Sequence, residues 1–335
     1  RRQRQMCIRD RYRKKIIVSE QDRGKKIFVE FDGAMSLAKV YLNGNFIGEW
    51  PYGYTSFTFE LTDKIKFGSE NILSVRLENL PESSRYYTGA GLYRGVRLVI
   101  LNPVHVAHWG TFVTTPVVSV DKAIVDVRTN VCVRTKQKGK IKLVTEILDQ
   151  EGKKVAKAIS TSHQADSIFY HQKLQMKSPH LWSVSSPYLY SVLSKVFVDG
   201  KMADCYLTTM GIRSIDFDTN KGFLLNGQPF KLKGVCLHHD LGPIGAAVNV
   251  AALKRQLRLL KEMGSNAIRT SHNPPSREFL QLTDSMGFVV QVEAFDEWKV
   301  AKNLNGYHLY FDEWAEKDLR AMIRRDRNHP SVIMW

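Results

Sequence analysis

Between residues 16 and 103 apolar and polar side chains alternate in short runs, and each run meets a turn signal. Ile27-Phe28-Val29-Glu30-Phe31 ends at Asp32-Gly33, Ala38-Lys39-Val40-Tyr41-Leu42 ends at Asn43-Gly44, and the run 72–77 follows Gly68. A period of two sends alternate side chains to opposite faces of a strand, and Asn-Gly supplies the two positive φ values of a tight hairpin. The pattern predicts an antiparallel sandwich.

From 104 to 215 the period of two continues through runs at 123–133, 140–148, 167–174 and 188–198, with turns at Lys138-Gly139, Glu151-Gly152 and Asp199-Gly200. Regular spacing without a helical period predicts an immunoglobulin-like sandwich. Near Asp216 the period lengthens to that of a helix. Strands are predicted at 230–235, 266–269 and 288–292, with a fourth beginning at 332. Between them Asn249 caps a helix with the apolar stripe Leu253, Leu257, Leu260 and Met263, stopped by Gly264. Ser276 caps a second helix that runs to Met286, and a third covers 314–325. Such β-α units predict a parallel sheet closed as a (β/α)8 barrel, whose first three units and the start of the fourth fall in residues 216–335. Ile268, Val290 and Val292 read as the apolar inner face of that sheet. The fold class is multidomain β plus α/β.

The 335 residues are 43% hydrophobic and 10% aromatic, enough for several cores. No apolar run approaches the roughly 18 residues of a membrane span, so no membrane partner is expected. The formal charge is +16, but residues 1–15 hold eight basic side chains and one acidic one. That stretch opens Arg-Arg-Gln-Arg-Gln with no apolar periodicity, and Met6-Cys7-Ile8-Arg9-Asp10 is what a transposon end used in sequencing libraries encodes. Residues 1–15 are therefore expected to be adapter-derived or disordered. With the natural start in question, the compartment stays open between a periplasmic or secreted location and a cytoplasmic one. The other basic residues are dispersed, as in Lys136, Lys138, Lys140 and Lys142, which fits a solvated surface rather than a nucleic-acid interface. Cys132, Cys205 and Cys236, with Cys7 set aside, have no zinc or disulfide spacing, so neither metal nor cofactor is expected.

Barrel active sites lie at the C-terminal strand ends. After the first predicted strand comes Leu237-His238-His239-Asp240; after the second, Arg269-Thr270-Ser271-His272-Asn273-Pro274; after the third, Glu293-Ala294-Phe295-Asp296-Glu297-Trp298. Hydroxyl-recognising groups beside aromatic platforms suit a sugar pocket. His239, Asp240, Arg269, His272, Asn273, Asp296 and Trp298 are the candidate substrate-binding residues, and Glu293 is a supporting residue. Plainer readings exist: His238 as a packing histidine, Asn273 as a turn former before Pro274, and Glu297 and Trp298 as part of a surface loop.

These clusters carry a resemblance. Pro51-Tyr52-Gly53-Tyr54-Thr55-Ser56-Phe57, Tyr86-Tyr87-Thr88-Gly89-Ala90-Gly91-Leu92-Tyr93-Arg94, the three strand-end runs and Arg327-Asn328-His329-Pro330-Ser331-Val332 resemble glycoside hydrolase family 2, β-galactosidase branch. The resemblance implies a sugar-binding-like jelly roll over 16–103, an immunoglobulin-like sandwich over 104–215 and a TIM barrel from 216. It also implies a β-galactoside partner and hydrolysis with retention by two glutamates, both expected beyond Trp335, so no catalytic residue is assigned within the chain. The resemblance also allows magnesium or sodium, for which no cluster here has a convincing ligand spacing. Val292 stands where the family usually has aspartate. The alternatives are a β-glucuronidase or β-mannosidase of the same family, a non-catalytic carbohydrate-binding protein and a basic nucleic-acid-binding protein.

Overall fold

The computed structural model describes residues 8–135, 139–163 and 166–335. Arg1 to Cys7, Lys136 and Lys138, and with it the Lys138-Gly139 turn, lie outside the described residues. Seven strands build the first sandwich: β1 (Ile8–Ile17), β2 (Lys26–Phe31), β3 (Ala38–Leu42), β4 (Asn45–Trp50), β5 (Phe57–Glu60), β6 (Glu70–Asn79) and β7 (Val96–Leu101). One sheet has the order β1-β6-β3-β4 and the other β5-β2-β7. Ile27, Val29 and Phe31 share a buried core with Val40, Leu42, Val75 and Leu77. Asn43 and Gly44 hold φ of 52° and 83°, as the β3-β4 hairpin requires.

Strand β1 corrects the expectation of disorder for residues 8–15. From Ile8 the chain runs antiparallel to β6, with Ile8 opposite Asn79 and Ile17 opposite Glu70. It is an edge strand whose Arg9, Arg11, Arg13, Lys14 and Lys15 are exposed, and Arg9 and Lys15 pair with Glu78 and Glu70 at 2.9 and 3.0 Å. A charged edge needs no apolar alternation, and its charge deters pairing with another chain. The hydrophobic pattern therefore carried no trace of it.

The second sandwich comprises β8 (Val104–Val118), β9 (Lys122–Val133), β10 (Lys140–Leu148), β11 (Lys154–His163), β12 (Ser167–Lys177), β13 (Tyr190–Val198) and β14 (Lys201–Met210), in sheets β11-β10-β13-β14 and β12-β9-β8. A small antiparallel sheet, β15 (Ile215–Asp218), β16 (Gly222–Leu225) and β17 (Gln228–Pro229), leads into four parallel strands. These are β18 (Gly234–Leu237), β19 (Ala267–Thr270), β20 (Val289–Val292) and β21 (Val332–Met334), with helices α1 (Val250–Glu262), α2 (Arg277–Met286) and α3 (Phe311–Asp326) between them. The first parallel strand begins at Gly234 rather than 230. Phe230 donates its amide to the Phe223 carbonyl and packs beside Trp182, so its apolar side chain seals the barrel floor instead of joining the sheet.

The inner face of the sheet also differs from expectation. Ile268, Val290 and Val292 pack outward against Leu253, Leu257, Phe279, Leu280 and Met322 of the helices. The inner row is Cys236, Arg269 and Gln291, in register across β18, β19 and β20, and below it Ala267 and Val289 are covered by Trp182 and Phe223. A period of two separates two faces without saying which one the helices cover. No helix among the described residues is long and apolar enough to cross a membrane.

Candidate active site

The ends of β19 and β20 are joined by charge. The Arg269 Nε donates to the Glu293 carboxylate, and with its proton on Nδ1 His272 donates to the other Glu293 oxygen at 3.0 Å. That hydrogen bond to Glu293 raises the guanidinium pKa. Arg269 also reaches the Cys236 sulfur on β18 at 3.4 Å, while the Glu293 amide donates to Thr270 Oγ1 at 3.2 Å. Asn273 is held from the first sandwich: the Tyr52 hydroxyl lies 2.6 Å from its Oδ1 and 2.7 Å from the Ala294 carbonyl.

At the end of β18, His239 sits edge-on to Tyr54 with ring centroids 5.1 Å apart, and its Nε2 lies 3.0 Å from the Thr88 carbonyl. Desolvation pushes its pKa down to about 4, so near neutral pH Nε2–H donates and Nδ1 carries a lone pair with no partner among the described residues. Asp240 accepts from the Tyr86 hydroxyl, and the Tyr86 ring stacks on His238 at 3.5 Å and 17°. His238 in turn meets His272 edge-on at 5.3 Å, bringing the first two strand ends into contact.

After β20, Asp296 accepts from Arg85 at 2.6 and 3.3 Å, with Lys302 Nζ 3.5 Å away. Burial opposes its charge, but the hydrogen bond from Arg85 and the nearby cations outweigh burial and lower its pKa. Glu297 is buried, not part of an exposed surface: it accepts from the Asn303 amide at 3.3 Å and lies 3.2 Å from His308 Nδ1. A side chain on Gly306 would collide with it, so glycine lets the loop close around the carboxylate. Trp298 is 64% exposed, stacks on Phe311 at 5.7 Å and lines neither crevice at the strand ends.

The structure thus gathers His239, Asp240, Arg269, His272, Asn273, Glu293 and Asp296 at three strand ends. Val292 takes no part, because it faces the helices. Arg85, Tyr86, Thr88, Tyr52 and Tyr54 were not foreseen as site residues, although they lie in the motifs Pro51–Phe57 and Tyr86–Arg94 or beside them. The signal available was a density of tyrosines and glycines outside any strand pattern; the sequence did not say that these loops reach the barrel. Crevices of about 70 and 40 Å³ open here, one beside Tyr52, Asn273 and Asp296, the other beside His238, His239 and Thr270. No group of three or more His, Cys, Asp or Glu side chains among the described residues could hold a metal ion.

Two sandwiches leading into parallel β/α units, with carboxylates, imidazoles and tyrosines converging on the strand ends, define a multidomain protein of glycoside-hydrolase architecture. The family description "Glycosyl hydrolases family 2, TIM barrel domain" matches residues 218–335, and "Glycosyl hydrolases family 2" matches 104–213. The chain belongs to glycoside hydrolase family 2. It is 44% identical over 327 residues to Beta-galactosidase BoGH2A of Bacteroides ovatus, covering 97% of this chain and 38% of that protein. It is 32% identical over 342 residues to a Beta-glucuronidase of Bacteroides fragilis, covering 97% and 49%. A crystal structure of a glycosyl hydrolase family 2 member from Bacteroides cellulosilyticus superposes with a TM-score of 0.96 at 42% identity, over 98% of this chain and 42% of that one. The chain therefore spans less than half the length of these relatives.

Proposed function

We propose that the protein to which this sequence belongs hydrolyses terminal β-galactosides by double displacement with retention. The observation that carries the reading is the convergence of Asp240, Asp296 and the Arg269–His272–Glu293 group under Arg85 and Tyr86. The two aspartates accept from sugar hydroxyls, and Trp298 offers an apolar ring face. Glu293, engaged by Arg269 and His272, orients those groups and does not attack the sugar. The acid/base glutamate is assigned to the end of the strand that begins at Val332 and the nucleophile to a later one, about 5–5.5 Å apart. Residues 1–335 then bind without turnover. The name of the Bacteroides ovatus relative supports galactose; that of the Bacteroides fragilis relative supports glucuronate as a second reading.

The test compares nitrophenyl β-galactoside, β-glucuronide and β-mannoside as substrates for residues 1–335 and for a protein carried through the natural gene's later barrel strands. Galactoside hydrolysis by the longer protein alone, with the β-anomer formed first by NMR, is expected. Faster release from the glucuronide selects the second reading. Turnover by residues 1–335 refutes the assignment of both glutamates beyond them, and galactose binding without turnover in the longer protein makes it a carbohydrate-binding protein.

A further inference from the structure

A cavity of about 540 Å³ lies where both sandwiches meet the barrel helices, far roomier than either crevice at the strand ends. Glu30 and Val99 of the first sandwich, β8 and β14 of the second, and residues of α2 and α3 wall it. It is on the helical exterior of the barrel.

One wall is a bulge. Val106 pairs with Val131 and Thr111 with Thr129, so residues 107–110 of β8 stand against Asn130 alone. Trp109 there holds φ of 49°, a region that bulky side chains seldom occupy, and its carbonyl accepts from Arg327 at 2.9 Å. His108 and Trp109 lie 4.0 Å apart with a 40° tilt, and both line the cavity. Bulges and strained residues of this kind re-aim side chains and gather at ligand sites.

Opposite them, Arg277 in the first turn of α2, Gln281 one turn on, and Arg324 of α3 line the same space. Both arginines are exposed, and neither guanidinium makes a hydrogen bond or ion pair with a described residue. The wall's carboxylates are already engaged: Glu30 pairs with Arg97 at 2.9 Å, and Asp284 with His329 at 2.5 Å and Ser331 at 2.6 Å. Two uncompensated guanidiniums beside an indole-imidazole platform fit an anion on a ring-shaped carrier. The volume lies within the roughly 300–1,000 Å³ of small-molecule sites, whereas a bare ion would leave most of it empty.

We propose that this cavity binds an acidic saccharide, a pyranose bearing carboxylate or sulfate, at a site separate from the strand ends. The arginines take the anionic group and Trp109 the ring face. The inference stands on this cavity alone and survives failure of the galactosidase reading.

The test is a tryptophan-fluorescence titration of the 335-residue chain with tetragalacturonate, a sulfated galactose tetrasaccharide, neutral galactotetraose and inorganic sulfate. One of the two acidic saccharides is expected to bind saturably and about tenfold or more tighter than the neutral one, and which one identifies the anionic group. Arg277→Gln with Arg324→Gln, both at exposed positions, should weaken that binding about tenfold or more with an unchanged melting curve. Asp240→Asn should leave it intact. Equal affinity for the neutral saccharide, equally tight inorganic sulfate, an unaffected double variant, or loss on Asp240→Asn would each overturn the proposal.

Discussion

Tyr86, in the loop that leaves the first sandwich, donates its hydroxyl to Asp240 at the end of the first barrel strand and lays its ring flat on His238. Its neighbour Arg85 holds Asp296 at the end of the third strand. Two consecutive residues of one domain thus fix two carboxylates of another. Tyr86→Phe keeps the ring and removes the donor, so it should cost about 1–2 kcal/mol, the low part of the range for a bond to a charged group because the pair is partly exposed. Tyr86→Ala, which also loses the stacking, should cost more. Denaturant midpoints check both, and equal losses for Phe and Ala would deny the hydroxyl and the ring separate roles.

Asp318 of α3 is buried between Trp50, whose indole N–H donates to it at 2.7 Å, and the Tyr307 hydroxyl. Desolvation raises its pKa to about 6, only partly offset by those donors. A carboxyl raised above its unfolded value favours the protonated native chain. Its stabilising contribution is present below about pH 4 and is lost as pH rises to about 6, amounting to about 3 kcal/mol. Asp318→Asn, which retains an acceptor for Trp50, should gain about that much relative to wild type between pH 4 and pH 7. Parallel stability profiles would show that the carboxyl titrates normally.

The first two helices and their ends were legible because capping is local: Asn249 accepts from the Ala252 amide at 3.0 Å and Ser276 from the Phe279 amide at 3.2 Å, whereas α3, with no side-chain cap, begins at Phe311 rather than the expected 314. The strand-end clusters were legible because a barrel places every such cluster on one rim. What was hidden depends on distant partners. Arg327-Asn328-His329-Pro330 is one of the motifs that carry the family resemblance, and its sequence does not show what it does. In the structure Asn328 bonds the Val113 amide and the Thr111 carbonyl at 2.9 Å each, and Arg213 reaches the Val332 carbonyl at 2.7 Å, so the motif docks the fourth strand on the second sandwich. Arg94 is similar: its buried guanidinium donates to the Tyr54 and Pro274 carbonyls at 2.8 and 2.9 Å, a bond between domains that no local pattern announces.

His239 should titrate unlike a surface histidine. Burial favours the neutral ring and places the pKa at about 4, below its ordinary value near 6.5. The stabilising contribution of this ring is present above about pH 6.5 and is lost as pH falls towards 4. In NMR titration, with His239→Gln identifying the resonance, the ring should remain neutral at pH 5.5. A midpoint above pH 6 would remove the desolvated acceptor from the site.

Proteolysis should find the loop after β20 before it finds the junction at Asp216. Were Ile268, Val290 and Val292 the open inner face, a sheet of four parallel strands would leave apolar surface in water and unravel from its start. Instead they are covered by α1, α2 and α3, while Cys236, Arg269 and Gln291 of the inner row tolerate solvent. Arg325, buried, donates to Ser56 at 2.9 Å and to the Pro275 carbonyl at 2.7 Å, fastening α3 to the first sandwich and to the loop after β19. By contrast, Trp298, Val300 and Leu304 are 64%, 81% and 71% exposed, and Lys299 lies among them. Exposed loop tips are preferred sites of nicking. Brief trypsin treatment should therefore cut first at Lys299 or Lys302 and leave an N-terminal fragment ending there, visible by mass spectrometry, with both halves co-eluting under native conditions. A first cut near Asp216, with loss of everything after it, would mean that the helices do not protect the sheet.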